Sequence, residues 1–173
     1  MAFCGDVSKF CIIGSVLQTL AFVLHIIGFA SPYWIYSKES RGPASLQVNA
    51  GLWQSCNTVS GAGQDVTTCT DISIAPDWFK AVQAFACLGL ISLLIAVVAL
   101  AVKRCMDKAL LFYLSAGLTF AGAVCILISI AVYAAKYTNT VADVHFHFAF
   151  AFCIIAMILA IPAGFFIIIE ASK

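Results

Sequence analysis

The sequence has few charged residues, and long parts of it have none. Lys, Arg, Asp and Glu make up 10% of the 173 residues. Four stretches of more than 20 residues contain no charge: 10–30, 81–102, 109–135 and 146–169. About 20 apolar residues suffice for a helix to cross the hydrocarbon core of a bilayer. The sequence therefore excludes a soluble domain and predicts an all-α transmembrane bundle of four helices, as one domain over 1–173.

Other absences remove further classes of function. The sequence has no basic run, so it lacks the positive surface that binds nucleic acid phosphates. It has no Cys-x-x-Cys motif, which leaves a thiol redox enzyme without its motif. The first apolar stretch is longer than the apolar part of a signal peptide, and no A-x-A-like cleavage site follows it. We therefore expect this stretch to remain as the first helix.

The segments between the predicted helices differ greatly in length. An outer loop spans 31–80, an inner loop spans 103–108, and a second outer loop spans 136–145. The inner loop holds three of the nine basic residues, and basic residues accumulate in cytoplasmic loops. This pattern predicts a multi-pass protein of the plasma membrane, with both termini in the cytoplasm and the long loop outside.

The eight cysteines occur in three settings. Cys56 and Cys69 share the long polar loop, and we expect a disulfide between them if that loop faces the oxidising exterior. Closing such a loop contributes about 3 kcal/mol in the chain-entropy model. Cys4 and Cys105 lie beside the predicted helices on the cytoplasmic side, where they are candidates for S-acylation or are free thiols. The others lie within apolar stretches: Cys11, Cys87, Cys125 and Cys153.

The outer loop has the pattern of a small extracellular antiparallel β-sheet. Apolar and polar residues alternate over 46–53 and again over 66–74, and a turn-like stretch at 60–65 separates them. This predicts two antiparallel strands with the two loop cysteines near the turn. We expect a third strand near 33–36, because a hairpin alone is only marginally stable in water.

Small and polar residues form stripes at three- and four-residue spacing on two of the predicted helices. Such stripes face other helices, because small residues allow close approach and polar ones form hydrogen bonds across the interface. His25 has no acidic partner in any apolar stretch, which favours packing over a role in proton or ion transfer. The stripes are Cys11, Gly14, Gln18, Ala21, His25 and Gly28 on the first helix, and Ser115, Thr119, Gly122 and Ser129 on the third.

His145 and His147 lie two residues apart, so their side chains point the same way on an extended chain. With Asp143 as a third ligand they permit a metal site, but no cysteine lies nearby to complete zinc geometry. We favour an interfacial pair of histidines. The sequence predicts no catalytic, cofactor-binding or metal-binding residue.

One set of residues resembles a known signature. Trp34, then Gly51, Leu52 and Trp53, then Cys56, and later Cys69 are similar to the W...GLW...C...C signature of the claudin superfamily. This superfamily includes peripheral myelin protein and the epithelial membrane proteins, and residues 82–85 resemble the epithelial membrane protein branch. The resemblance covers nearly the whole chain. It implies the claudin-like fold, in which an outer sheet stands on four membrane-spanning helices.

The chain departs from the claudin pattern at several points. Twelve residues separate Cys56 from Cys69, and Lys80 is the nearest basic residue where claudins carry an arginine at the start of the second helix. The tail after the last apolar stretch is only 170–173, so we expect no binding to a PDZ scaffold. The chain also lacks the Asn-x-Ser/Thr sequon that is common in the myelin and epithelial branch.

The resemblance implies two functions of different classes. The first is cell-cell contact or a paracellular barrier or channel, formed when the outer sheet assembles laterally with itself or with related four-span proteins at cell junctions. The alternative is an auxiliary subunit of an ion channel or receptor. A membrane enzyme ranks third, because four-span glutathione transferases use arginines near the helix ends and this chain offers only Arg41 and Arg104. We expect no enzyme activity and no cofactor, with membrane lipids and four-span proteins as partners.

The charges of the outer loop bear on selectivity if the chain lines a paracellular path. Lys38, Arg41 and Lys80 oppose four acidic residues, which gives a net charge of −1. Salt screens exposed charges beyond about 8 Å, so only charges that point into a narrow path matter. Asp71 lies on a predicted strand and is the first candidate for a pore or partner contact, with Asp65 at the turn as the second. This charge balance predicts a barrier or a weakly cation-preferring path.

Overall fold

The computed structural model describes residues 8–41, 44–61, 64–103, 109–140 and 145–172. Four helices in these ranges are long and apolar enough to cross a membrane. Their exposed surfaces are rich in large apolar side chains, which is the surface that contacts lipid. The helices are α1 Lys9–Ala30, α2 Asp77–Lys103, α3 Leu110–Thr140 and α4 Phe148–Ala171.

The helices do not end where the charge-free stretches end. α2 begins at Asp77, four residues before the predicted start, and α3 continues through Lys136 to Thr140. A helix keeps its own backbone hydrogen bonds in the headgroup region, so a charged residue marks the edge of the hydrocarbon rather than the end of the helix. α4 begins at Phe148, two residues after the predicted start, because Phe146 belongs to a short strand and His147 is the extended residue that precedes the helix.

An antiparallel five-stranded sheet stands at the outer end of the bundle. Its spatial order is β4-β3-β2-β1-β5, so the strands of the long loop are neighbours in sequence order and the last strand comes from the second outer loop. β5 pairs only with the first two residues of β1. The strands are β1 Ile35–Arg41, β2 Ala44–Ala50, β3 Gln54–Gly61, β4 Gln64–Asp71 and β5 His145–Phe146.

The predicted strand pairing in the long loop is wrong. The chain bends at residues 51–53, and a further strand, β3, lies between the two strands that were expected to pair. β3 was missed because its sequence, QSCNTVSG, is polar and lacks clear alternation. The two loop cysteines are not near the turn either, since their pair is the third counted from the end of β3 that adjoins the bend. The third strand begins at Ile35 and is longer than predicted.

The bundle buries the two predicted stripes. α1 packs mainly against α4, and α2 packs mainly against α3. All six stripe residues of α1 are buried, and so are the four of α3. Gln18, His25, Ser115 and Ser129 form hydrogen bonds between helices, which contribute about 0.6 to 2 kcal/mol each. The Thr119 hydroxyl instead donates to the carbonyl of Ser115 in its own helix.

Three hydrogen bonds across helices show how the polar stripe residues are used. The Ser115 hydroxyl accepts from Nε2 of Gln18 at 3.2 Å and donates to the carbonyl oxygen of Ala96 at 2.8 Å. Nε2 of His25 lies 3.1 Å from the carbonyl oxygen of Ala86, so that nitrogen carries the proton and donates it. This bond between α1 and α2 gives the buried imidazole a packing role.

Candidate functional site: the outer sheet and its anchor

Trp34 connects the sheet to three helices. Its side chain is fully buried, and its indole Nε1–H donates to the carbonyl oxygen of Gly28 on α1 at 2.6 Å. Its ring lies edge-on to Tyr133 on α3 at 4.8 Å and to Phe150 on α4 at 5.5 Å between centroids. A large aromatic ring with a satisfied polar handle is well suited to this position, where the apolar bundle meets the polar loop.

The backbone of Trp34 extends the sheet down to the bundle. Its N–H donates to the carbonyl oxygen of Ala50 at 3.0 Å, and its carbonyl accepts from the N–H of His147 at 2.9 Å. The strand ladder therefore continues past β1 on both sides. Trp34 holds the first and second outer segments together as well as joining the sheet to the helices.

Gly51 and Leu52 form the bend between β2 and β3. A Cβ atom at Gly51 would lie 2.6 Å from Cα of Pro32, so the close approach of two backbones requires glycine here. Leu52 is fully buried, and its carbonyl oxygen accepts from Nε2 of Gln83 on α2 at 2.6 Å. The bend is therefore held against Pro32, just after the end of α1, and against α2.

Trp53 completes the anchor through ring packing. Its ring centroid lies 5.1 Å from that of Phe29 on α1, and its carbonyl oxygen accepts from the N–H of Ile72 at 2.9 Å. Its indole Nε1 is buried without a hydrogen-bond partner in the described part of the chain. The stabilisation from this side chain therefore comes from apolar contact, in contrast to Trp34.

We expect Trp53→Ala to lower the unfolding free energy by about 2 kcal/mol and to reduce delivery to the cell surface, because the contact with Phe29 is lost. Trp53→Phe is the matched control. It keeps an aromatic ring, removes the unpartnered N–H and is smaller than the indole, so we expect a clearly smaller loss of stability than for Trp53→Ala. The measurement is thermal unfolding in detergent together with surface biotinylation. If Trp53→Phe were as damaging as Trp53→Ala, the N–H would have a partner outside the chain.

The cysteine pair joins β3 and β4, the last two strands of the long loop. Cys56 on β3 and Cys69 on β4 are directly opposite and form a disulfide, with Cys56 buried and Cys69 exposed. Their Cα atoms are 4.0 Å apart, the close spacing of a pair that exchanges no backbone hydrogen bonds. Opposite residues on antiparallel strands alternate between pairs that exchange backbone hydrogen bonds and pairs that do not, and the bond from the N–H of Ile72 to the carbonyl of Trp53 fits this alternation. The N–H groups of β4 at 65, 67, 69 and 71 therefore point away from β3, toward the free edge.

The two faces of the sheet differ in charge. Cross-strand partners share a face and successive residues alternate, so the register assigns every strand residue. The disulfide face carries Lys38, Asp65 and Asp71. Nε2 of Gln54 donates to Oδ1 of Asp71 at 3.0 Å, and both side chains are exposed. Asp71 lies near the bundle and Asp65 near the β3–β4 turn, so the two candidate carboxylates are at opposite ends of β4.

The remaining predicted residues lie elsewhere. Cys4 and Cys105, the candidates for acylation, fall outside the described residues, as does Asp143. His145 is exposed and opposite Tyr36, while the ring of His147 packs 5.6 Å from that of Tyr33. No group of three or more His, Cys, Asp or Glu side chains that could hold a metal ion occurs within the ranges that the structure describes.

Some functional partners were not singled out from the sequence. Tyr133, Phe150 and Phe29 complete the aromatic anchor, but each lies in a long apolar stretch where any aromatic residue is expected. Their common signal is position, since all three lie near the outer end of a helix. Gln83 was noted only as part of a branch motif, and the structure shows that it binds the bend.

A family model fits this arrangement over almost the full chain. Residues 8–167 match the model of the PMP-22/EMP/MP20/Claudin family. The chain belongs to this family. It is a claudin-like multi-pass membrane protein with four spans and a disulfide-linked outer sheet. A comparison with curated proteins gives no match.

Proposed function

We propose that this claudin-like protein reaches the plasma membrane with both termini in the cytoplasm and assembles side by side through its outer sheet. The assembly forms cell-cell contacts and a paracellular barrier or path. The observation that carries the proposal is the edge strand β4, which ends the sheet and is exposed at all eight positions. Unpaired backbone groups along such an edge favour pairing with another strand.

The anchor supports the same function. Trp34, Leu52 and Trp53 fix the base of the sheet to α1, α2, α3 and α4, so the free edge of β4 has a defined position above the bundle. Strand pairing between molecules needs such a fixed edge, because a mobile hairpin would pay the ordering entropy at each contact. A disulfide between β3 and β4 holds the edge strand in register.

The charge pattern predicts the selectivity of this assembly. If the disulfide face lines the path, Lys38 partly offsets Asp65 and Asp71, which leaves a weak preference for cations. We expect an epithelial monolayer that expresses the chain to show a barrier or a small cation-selective dilution potential. Asp71→Lys is expected to shift that potential toward anion preference.

Asp77→Lys is the matched control for the charge reversal. Asp77 lies outside the sheet at the start of α2, where its Oδ1 is 3.4 Å from Nζ of Lys80. Both side chains are exposed, so salt screens a charge at this position beyond about 8 Å. Asp77→Lys should therefore leave the dilution potential unchanged. A clear anion preference of the wild type, or no shift with Asp71→Lys, would instead favour an auxiliary subunit of a channel or receptor.

A further inference from the structure

The two sulfurs of the disulfide differ in their access to solvent. Cys56 lies on the interior strand β3 and is 5% exposed, whereas Cys69 lies on the edge strand β4, which is exposed at all eight positions. Thiol–disulfide exchange begins when a thiolate attacks one of the two sulfurs, so its rate depends on which sulfur is accessible. A thiol in solution therefore reaches Sγ of Cys69, and Cys56 is the sulfur that leaves.

Asn49 lies beside Cys56 on the side away from Cys69. The register places Asn49, Cys56 and Cys69 in one row across β2, β3 and β4, so their side chains share a face of the sheet. Asn49 is 4% exposed, and its Oδ1 is buried without a hydrogen-bond partner among the described residues. A buried acceptor without a partner lowers stability and is uncommon in native proteins.

Reduction of the disulfide supplies a donor for this acceptor. A disulfide sulfur carries no proton, whereas the thiol of a reduced Cys56 is a weak hydrogen-bond donor. Directly opposite residues on neighbouring strands have Cβ atoms about 5 Å apart, so the S–H group of Cys56 is within reach of Oδ1 of Asn49. The oxidised sheet leaves a buried acceptor unpaired and the reduced sheet pairs it, which favours reduction.

We infer that Cys69 is a thiol-exchange site, at which a low-molecular-weight thiol opens the disulfide while Asn49 receives the thiol of Cys56. The thiolate of the small molecule bonds to Sγ of Cys69, the bond between the two cysteines breaks, and Cys56 leaves with the electron pair and takes up a proton. A second molecule of the thiol attacks the sulfur of the first, which releases Cys69 as a thiolate. The two small molecules leave as their disulfide, so two electrons pass from them to the protein.

This inference rests on the proposed function and assigns a regulation to it. β4 ends the sheet, so β3 is its neighbour on one side and the other side is open. A pair of strands without further support is only marginally stable in water, and the disulfide constrains the β4 segment. Without that bond β4 frays from β3 and no longer presents its backbone groups at fixed positions. We therefore expect reduction to disperse the assembly.

Peptide mapping of the full-length protein tests the site itself. The protein in detergent is treated briefly with reduced glutathione, exchange is stopped with acid, and free thiols are alkylated. We expect the glutathione adduct on Cys69 and a free thiol at Cys56. An equal amount of adduct on Cys56, or no reduction by glutathione while the protein stays folded, overturns the inference.

The role of Asn49 is measured as the fraction of reduced protein at a fixed ratio of reduced to oxidised glutathione. Asn49→Leu keeps a side chain of similar size without the acceptor, and Asn49→Ala repeats the test with a smaller one. Asn57→Leu is the matched control, because Asn57 lies next to Cys56 on β3 but on the other face and is exposed. We expect both Asn49 variants to shift the equilibrium toward the disulfide by roughly two- to tenfold, the effect of one hydrogen bond, and Asn57→Leu to leave it unchanged. An equal shift in the control, or no shift in either Asn49 variant, overturns the inference.

Freeze-fracture of glutathione-treated cells separates this regulation from the proposed function. We expect strands of the wild type to disperse under reduced glutathione and to return when oxidised glutathione replaces it. Untreated cells without strands would contradict the proposed function, while the adduct on Cys69 in detergent would still support the exchange site. Strands that persist when the peptide map shows complete reduction would overturn the regulation.

Discussion

Replacing Trp34 by alanine is expected to lower the unfolding free energy by about 3–5 kcal/mol, the largest loss for any residue of the outer sheet. The side chain is fully buried, and it contacts Tyr133 and Phe150 while it donates to the carbonyl of Gly28. Removal leaves a cavity where three helices and the sheet meet. Thermal unfolding in detergent and surface delivery measure the loss. The effect should be large, because the unfolding free energy of a typical protein is only about 5–15 kcal/mol in total.

Trp34→Phe separates packing from hydrogen bonding at this site. The phenyl ring keeps much of the contact with Tyr133 and Phe150, but the Gly28 carbonyl loses its indole donor. We expect a loss of about 1–3 kcal/mol, which is smaller than that of Trp34→Ala. A Trp34→Ala protein that unfolds at the wild-type temperature would contradict the role of Trp34 in anchoring the sheet to the helices.

A methyl group at Gly28 is expected to separate α1 from α4. A Cβ atom there would lie 2.7 Å from the carbonyl oxygen of Ala149, a backbone atom that cannot rotate away. Gly28→Ala therefore shifts the two helices and moves the carbonyl that binds Trp34. Overpacking of this kind costs about 1–3 kcal/mol or more. The melting temperature in detergent should fall.

Gly117→Ala is the matched control on α3. Apart from its two chain neighbours and the nearby backbone of its own helix, no atom of the described residues lies within 4 Å of a Cβ at Gly117, so the added methyl group meets no neighbouring helix there. Alanine in a helix interior is favoured over glycine by about 0.5–1 kcal/mol, so this variant should be as stable as the wild type or more stable. Equal effects of the two substitutions would show that the close approach at Gly28 does not matter.

The helices could be predicted because hydrocarbon excludes charge, and four charge-free stretches left no other interpretation. The stripe on α1 could be predicted too, because only helix-helix interfaces reward small and polar residues in a membrane. The helix ends could not, since the backbone ladder of α3 continues through Lys136 beyond the hydrocarbon. The absence of charge shows which residues lie in hydrocarbon. It does not show where the helix ends, because that depends on the backbone conformation of the residues that follow.

The sheet was only partly predictable for a related reason. Alternation predicted a strand over 66–74, which overlaps β4, but β3 is polar and lacks clear alternation, so it was missed. The register then depends on the bend at Gly51, where the backbone packs closely against Pro32. These two residues are far apart in the sequence, so local patterns do not reveal their contact. Only the observed register shows that Asp65 and Asp71 lie on the same face of the sheet as the disulfide.

Freeze-fracture of cells that express this chain alone tests the central claim, assembly through the edge of β4. Thr67→Pro removes one outward N–H from the free edge and breaks no bond to β3, and Thr67→Val removes the hydroxyl that lies 2.9 Å from that of Thr58 but keeps the N–H. We predict intramembrane strands for the wild type and for Thr67→Val, and dispersed particles for Thr67→Pro at equal surface delivery. Dispersed particles from the wild type, or unbroken strands from Thr67→Pro, would contradict the account.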